Sequence, residues 1–72
     1  MKMTYDRDED ILIIETAPDA VIDHADHSGQ FIAHFSRDGK LVLLEILDAS
    51  EFLASLVKAT ARGKVEELAT VR

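Results

Sequence analysis

Polar and apolar residues alternate from Lys2 to Asp6, the charged run Arg7-Asp8-Glu9-Asp10 interrupts them, and a β-branched stretch follows from Ile11 to Thr16. This is the pattern of a β-hairpin with a charged turn. If the turn takes those four residues, Tyr5 faces Leu12 and Met3 faces Ile14, which puts four large side chains on one face. Ala17-Pro18-Asp19 ends the run, because proline has no N–H to give to a ladder and restricts the residue before it. A short third strand is expected over residues 20–25, a turn at Ser28-Gly29, a fourth strand over 30–36 and a fifth over 41–47. Between the last two stands Asp38-Gly39, a dipeptide that tolerates the positive φ angles of a two-residue primed turn.

A two-residue turn at Asp38-Gly39 sets Arg37 opposite Lys40 and fixes a register. One face then pairs Phe35 with Val42, Ala33 with Leu44 and Phe31 with Ile46, all apolar. The other pairs Ser36 with Leu41, His34 with Leu43 and Ile32 with Glu45, a mixture of aliphatic and ionisable groups. Beyond the fifth strand, Asp48-Ala49-Ser50-Glu51 has a capping residue with a carboxylate three positions on, ahead of Phe52, Leu53, Leu56 and Val57. That arrangement starts a helix, expected from Ala49 to Arg62 with Gly63 as its C-terminal stop and Phe52, Leu56 and Ala59 on the apolar sheet face. The expected fold class is α+β: an antiparallel five-stranded β-meander with two clear hairpins, followed by a C-terminal α-helix packed on one sheet face. The single domain divides into sheet (1–47), helix (48–62) and a short helix or mobile tail (63–72).

One domain is all that 72 residues allow. Cores of this size contribute only about 3–5 kcal/mol, and such chains often add disulfides, a metal or a partner subunit. The chain has no cysteine, which removes disulfides and thiolate metal sites. It carries 8 basic and 14 acidic residues, a net charge of −6, which repels nucleic-acid backbones. Residues 1–50 hold 11 of the acids and 4 of the bases, so the acidity belongs to the strands and turns. Apolar runs such as Ile11–Ile14 and Leu41–Leu44 are far too short to span a membrane. A cytoplasmic protein with neither nucleic-acid nor membrane partners is the expectation.

Tyr5-Asp6, the charged turn ending in Asp10, Leu12 and Ile14, then Asp38-Gly39-Lys40-Leu41-Val42 and Glu45-Ile46-Leu47-Asp48-Ala49-Ser50 together resemble the small bacterial and archaeal family catalogued as domain of unknown function 2283. The resemblance covers about residues 2–53. It supplies no catalytic residues. Members are reminiscent of small proteins encoded beside toxin-like partners, so the resemblance implies an antitoxin-like role. His24, His27 and His34 depart from the pattern, standing where acidic or small polar residues are more usual.

Those histidines are also the sharpest candidate chemistry. Asp23, His24 and His27, with His34 on the neighbouring strand, are suitable ligands for a divalent ion such as zinc or nickel. With a two-residue Ser28-Gly29 turn, Asp23 lies opposite His34 and His24 points to the other face, so the set converges only with a bulge or a second subunit. The simpler alternative is a cross-strand carboxylate–imidazole pair with solvated turn histidines. Glu45, beside Ile32 and near His34, offers an acid/base partner. Asp6, Asp8 and Asp10 mimic the opening of a calcium loop, but Ile11 and Ala17 occupy the glycine and glutamate positions it needs. No serine lies in a nucleophile elbow, and no glycine-rich phosphate loop or other cofactor motif is present.

One helix covers one face of a sheet. Ile32, Leu41, Leu43, Glu45 and Leu47, with Ile11 and Ile13, fall on the other and are the expected interface of a homodimer or higher homo-oligomer. The leading expectation is a non-catalytic protein-interaction module. The alternative is a metal- or small-ligand-binding domain using the His/Asp cluster at a subunit interface.

Overall fold

The computed structural model describes residues 1–62. The short helix or mobile tail expected over 63–72 lies outside the described residues. Five strands and one helix follow one another: β1 (Lys2–Asp6), β2 (Ile11–Glu15), β3 (His24–Ser28), β4 (Phe31–Phe35), β5 (Leu41–Leu47) and α1 (Ala49–Arg62). All strand pairs are antiparallel, in the order β1-β2-β5-β4-β3. The meander β3-β4-β5 is thus extended on its β5 side by the hairpin β1-β2, and the segment after Pro18 carries the chain from one side of the sheet to the far edge.

The first hairpin pairs Tyr5 with Leu12 and Met3 with Ile14, as the four-residue turn requires. In the β4–β5 ladder Phe31 pairs with Ile46, Ile32 with Glu45, Ala33 with Leu44 and His34 with Leu43, in the expected register. Toward the turn the pairing differs. Phe35 lies opposite Leu41 instead of Val42, with a bulge between His34 and Phe35. The turn itself is the cause. Ser36 N–H donates to the Lys40 carbonyl (2.9 Å) and Gly39 N–H to the Ser36 carbonyl (3.0 Å), so Ser36 and Lys40 close a three-residue loop of Arg37, Asp38 and Gly39. Gly39, at φ +86°, takes the left-handed position that follows the tight turn in such a loop. The longer loop displaces the register by one residue, and the bulge at Val42 restores it. Val42 is nearly buried, and its carbonyl accepts the N–H groups of both Thr16 and Ala17 (2.9 and 3.2 Å).

β3 sits later in the chain than the 20–25 expected. Gly29 and Gln30, not Ser28 and Gly29, form the two-residue turn, and Ser28 stays in the strand opposite Phe31. Gly29 has φ +59° at the first central position, which a type II′ turn favours.

The helix has the expected bounds. It begins at the end of β5, beside the β1–β2 turn, where Ala49 N–H donates to the Asp10 carbonyl (3.0 Å). Phe52 then meets Phe31 edge-to-face at 5.6 Å. Leu56, assigned by its spacing to the sheet face, remains 42% exposed. Among the described residues no large side chain is fully buried, and Val42, Ile46 and Ala49 are the buried apolar ones. No helix among these residues is long and apolar enough to cross a membrane.

Candidate functional site

The second face of the sheet is built by strict alternation along β2, β4 and β5. Ile13 pairs with Glu45 and Glu45 with Ile32, which pairs with His27. In the next row Glu15 pairs with Leu43, Leu43 with His34, and His34 with Ala25. Ile11 opposite Leu47 continues the face toward the helix end. The residues named for an interface therefore mostly share one surface: Ile32, Leu43, Glu45 and Leu47 are half-buried and Leu41, beside the bulge, is exposed.

His34 and Glu45 lie diagonally across β4 and β5, and His34 Nε2 stands 3.0 Å from Glu45 Oε1. Their side chains are 20% and 27% exposed, so the pair is held among aliphatic neighbours without being sealed from water. The expected pairing of Asp23 with His34 does not form. Moving the turn to Gly29-Gln30 shifts the register by two residues, which brings Ala25 opposite His34 and leaves Asp23 beyond the strand end. Asp23 N–H bonds the Phe35 carbonyl (2.8 Å), and its Oδ2 is 3.0 Å from His24 Nδ1. His24 stacks on Phe35 across the opposite face (5.4 Å between centroids), and His27 Nε2 donates to the Gly29 carbonyl (3.1 Å). The structure thus pairs Asp23 with His24 and gives His27 and His34 partners elsewhere. Among the described residues no three His, Asp or Glu side chains gather as a metal site would require.

A second constellation was not legible as a site. Asp10 ends the first turn at φ +55°, a left-handed conformation that aspartate tolerates better than most residues. Its Oδ1 accepts the Tyr5 hydroxyl (2.7 Å) and Ser50 N–H (3.0 Å), while Oδ2 accepts the Ser50 hydroxyl (2.6 Å). The capping carboxylate for α1 therefore arrives from Asp10, while Asp48, expected to cap through its side chain, accepts Glu51 N–H (3.1 Å) with its main-chain carbonyl. Hydrogen bonds from Ser50 and then Tyr5 hold the Asp10 carboxyl below the usual carboxylate range, and the bond to Asp10 pushes the Tyr5 phenol up. An open cleft of about 380 Å³ adjoins this helix start, lined by Gln30, Glu51, Phe52, Ala54 and Ser55. It contains none of the histidines.

Residues 2–50 match the model of a family described as "Protein of unknown function (DUF2283)". The chain belongs to this family. The match includes all five strands and the Tyr5–Asp10–Ser50 network, so the region common to DUF2283 ends as α1 begins. No curated protein and no solved structure matches the chain. In this member of DUF2283 the resemblance carried by Tyr5, Asp10, Ala49 and Ser50 has a physical content: these residues tie the first hairpin to the helix.

Proposed function

We propose that this DUF2283 protein is a non-catalytic protein-interaction module that works as a homo-oligomer, with an antitoxin-like partner role as its specific form. The observation that carries the proposal is the sheet face of Ile11, Ile13, Ile32, Leu43 and Leu47, aliphatic across three strands and uncovered by α1, which meets Phe31 on the other side. An apolar surface of this extent on a soluble chain marks a contact with another protein. Sheet edges add to it, since β1 and β3 are the outer strands of the sheet among the described residues. The net charge of −6 favours a basic protein surface as the partner.

A metal- or small-ligand-binding domain is the second reading, favoured by the half-buried His34–Glu45 pair on the same face. Two such pairs meeting across a two-fold axis supply four ligands, the number a tetrahedral site needs. Native mass spectrometry of the untagged protein, before and after a chelator, separates the readings. A metal-free oligomer unchanged by chelation, with His34→Ala assembling as the wild type does, supports the interaction module. Stoichiometric metal lost together with the oligomer overturns it in favour of the second reading.

A further inference from the structure

β1 is an outer strand of the sheet, and among the described residues it pairs with β2 alone. All five of its side chains are exposed, Met3 at 59% and Tyr5 at 47%. It also lacks most of the devices that keep a sheet edge from pairing, since its ladder with β2 runs without a bulge and it contains no proline. Alternation places Lys2, Thr4 and Asp6 on the face of Glu15, Ile13 and Ile11, and Met3 and Tyr5 on the face of Ile14 and Leu12.

About Thr4 this strand is complementary to itself. An antiparallel pairing of two copies centred there sets Lys2 opposite Asp6 and Met3 opposite Tyr5, each twice, with Thr4 opposite Thr4. Each is a favourable cross-strand pair: opposite charges, a thioether against an aromatic ring, and two threonines. The charged groups are available for it. Lys2 belongs to none of the ion pairs among the described residues, and Asp6 gives only Oδ1 to its own turn, where it accepts Asp8 N–H (3.1 Å) and Glu9 N–H (3.2 Å). The other outer strand, β3, does not share the property, because the same pairing about its centre sets Asp26 opposite Asp26, a like-charge contact. We propose that two copies join edge to edge through β1, antiparallel and centred on Thr4, into one continuous sheet. This rests on the self-association in the reading above and names the surface that makes it. The two-fold axis then stands perpendicular to the sheet, so the faces of Ile32, Leu43 and Leu47 in both copies point the same way, side by side, and stay open to the partner protein.

Sedimentation velocity on the full chain tests this, using Lys2→Glu, Asp6→Lys and an equimolar mixture of the two, with far-UV circular dichroism to check folding. Either substitution alone sets like charges opposite one another at both ends of the strand pair, whereas in a mixed dimer every charged pair is again opposite in sign. The expected result is a wild-type dimer, a dissociation constant raised at least tenfold in each variant alone, and dimers restored in the mixture. Thr4→Cys reads the register without touching the Asp6 turn, in a chain that has no cysteine of its own. Directly opposite residues of an antiparallel pair lie about 4.5–5.5 Å apart at Cα, within reach of a disulfide. Glutathione disulfide, reduced to two glutathione thiols as the bond forms between copies, is therefore expected to convert Thr4→Cys to a covalent dimer and to leave Asp26→Cys on β3 uncrosslinked. A dimer that neither charge variant weakens, a mixture that stays monomeric, or cross-linking at Asp26→Cys and not at Thr4→Cys overturns the β1 pairing while keeping self-association. A monomeric wild type overturns both.

Discussion

The carboxylate of Asp10 accepts both the main-chain N–H and the side-chain hydroxyl of Ser50, forty residues away in the chain. A turn residue of the first hairpin thereby caps the only described helix, and the Tyr5 hydroxyl on the same carboxylate fixes its orientation. Capping satisfies N–H groups that a helix start otherwise leaves without partners.

Breaking this clasp should loosen the helix before the sheet. Ser50→Ala and Asp10→Asn are each expected to lower the melting temperature by a few degrees and reduce ellipticity at 222 nm. The double variant should lose little more than the worse single one, since both remove the same interaction. Additive losses in thermal melts would show that the two residues act independently.

The clasp also sets a pH window. Asp10 is held below the usual carboxylate range, chiefly by Ser50, so its stabilisation is present above about pH 4 and is lost as pH falls through its lowered pKa. Asp38, lowered chiefly by the Ser36 hydroxyl, adds to the same acid limb. Tyr5 is raised, chiefly by its bond to Asp10, so its contribution is complete below about pH 10 and disappears as pH rises through the raised value. Urea melts across pH should give a plateau between these limits. In Asp10→Asn the alkaline limb should flatten, and the acid limb should shrink to the part that Asp38 supplies.

Gly39 sits at φ +86° with open space where a side chain would go. Gly39→Ala therefore costs backbone strain alone, about 1 kcal/mol, which in a domain of this size lowers the melting temperature by roughly 4–8 °C. Gly39→Asn should cost less, because asparagine enters the left-handed region more readily. Equal melting temperatures for the wild type and Gly39→Ala would mean that the loop re-forms with a different turn.

Phe52 is the helix's aromatic contact with the sheet, edge-on to Phe31. Phe52→Ala is expected to cost about 2 kcal/mol, below the roughly 3–5 of a fully buried phenylalanine because the ring is half-buried. Phe52→Leu, which keeps most of the apolar area and loses the ring pair, should cost about 1 kcal/mol. Chemical denaturation of both variants measures the difference.

Much of this architecture is legible in the chain. The charged four-residue turn predicts the Tyr5–Leu12 and Met3–Ile14 pairs, and α1 has the bounds its capping residues and apolar spacing imply. The candidate site was half legible. Alternation places Ile32, Leu43, Glu45 and Leu47 on a mixed face, and it brings His34 to Glu45. The partner of Asp23 was not, because Ser28-Gly29 and Gly29-Gln30 are both acceptable turns by composition. In the folded chain Ser28 pairs with Phe31, so the second is the turn used, and the choice moves the partner of every residue of β3 by two.

By itself, then, the sequence determined which segments are strands and helix, and the inner register of β4 against β5, since these follow from periodicity and capping within a few residues. Tertiary structure alone decided that β2 lies beside β5, that a bulge at Val42 absorbs the extra residue of the Gly39 loop, and that a carboxylate from the first turn caps the helix. Each of these depends on groups brought together from distant parts of the chain, where the balance is struck by packing and by satisfying main-chain hydrogen bonds. No local pattern records that balance.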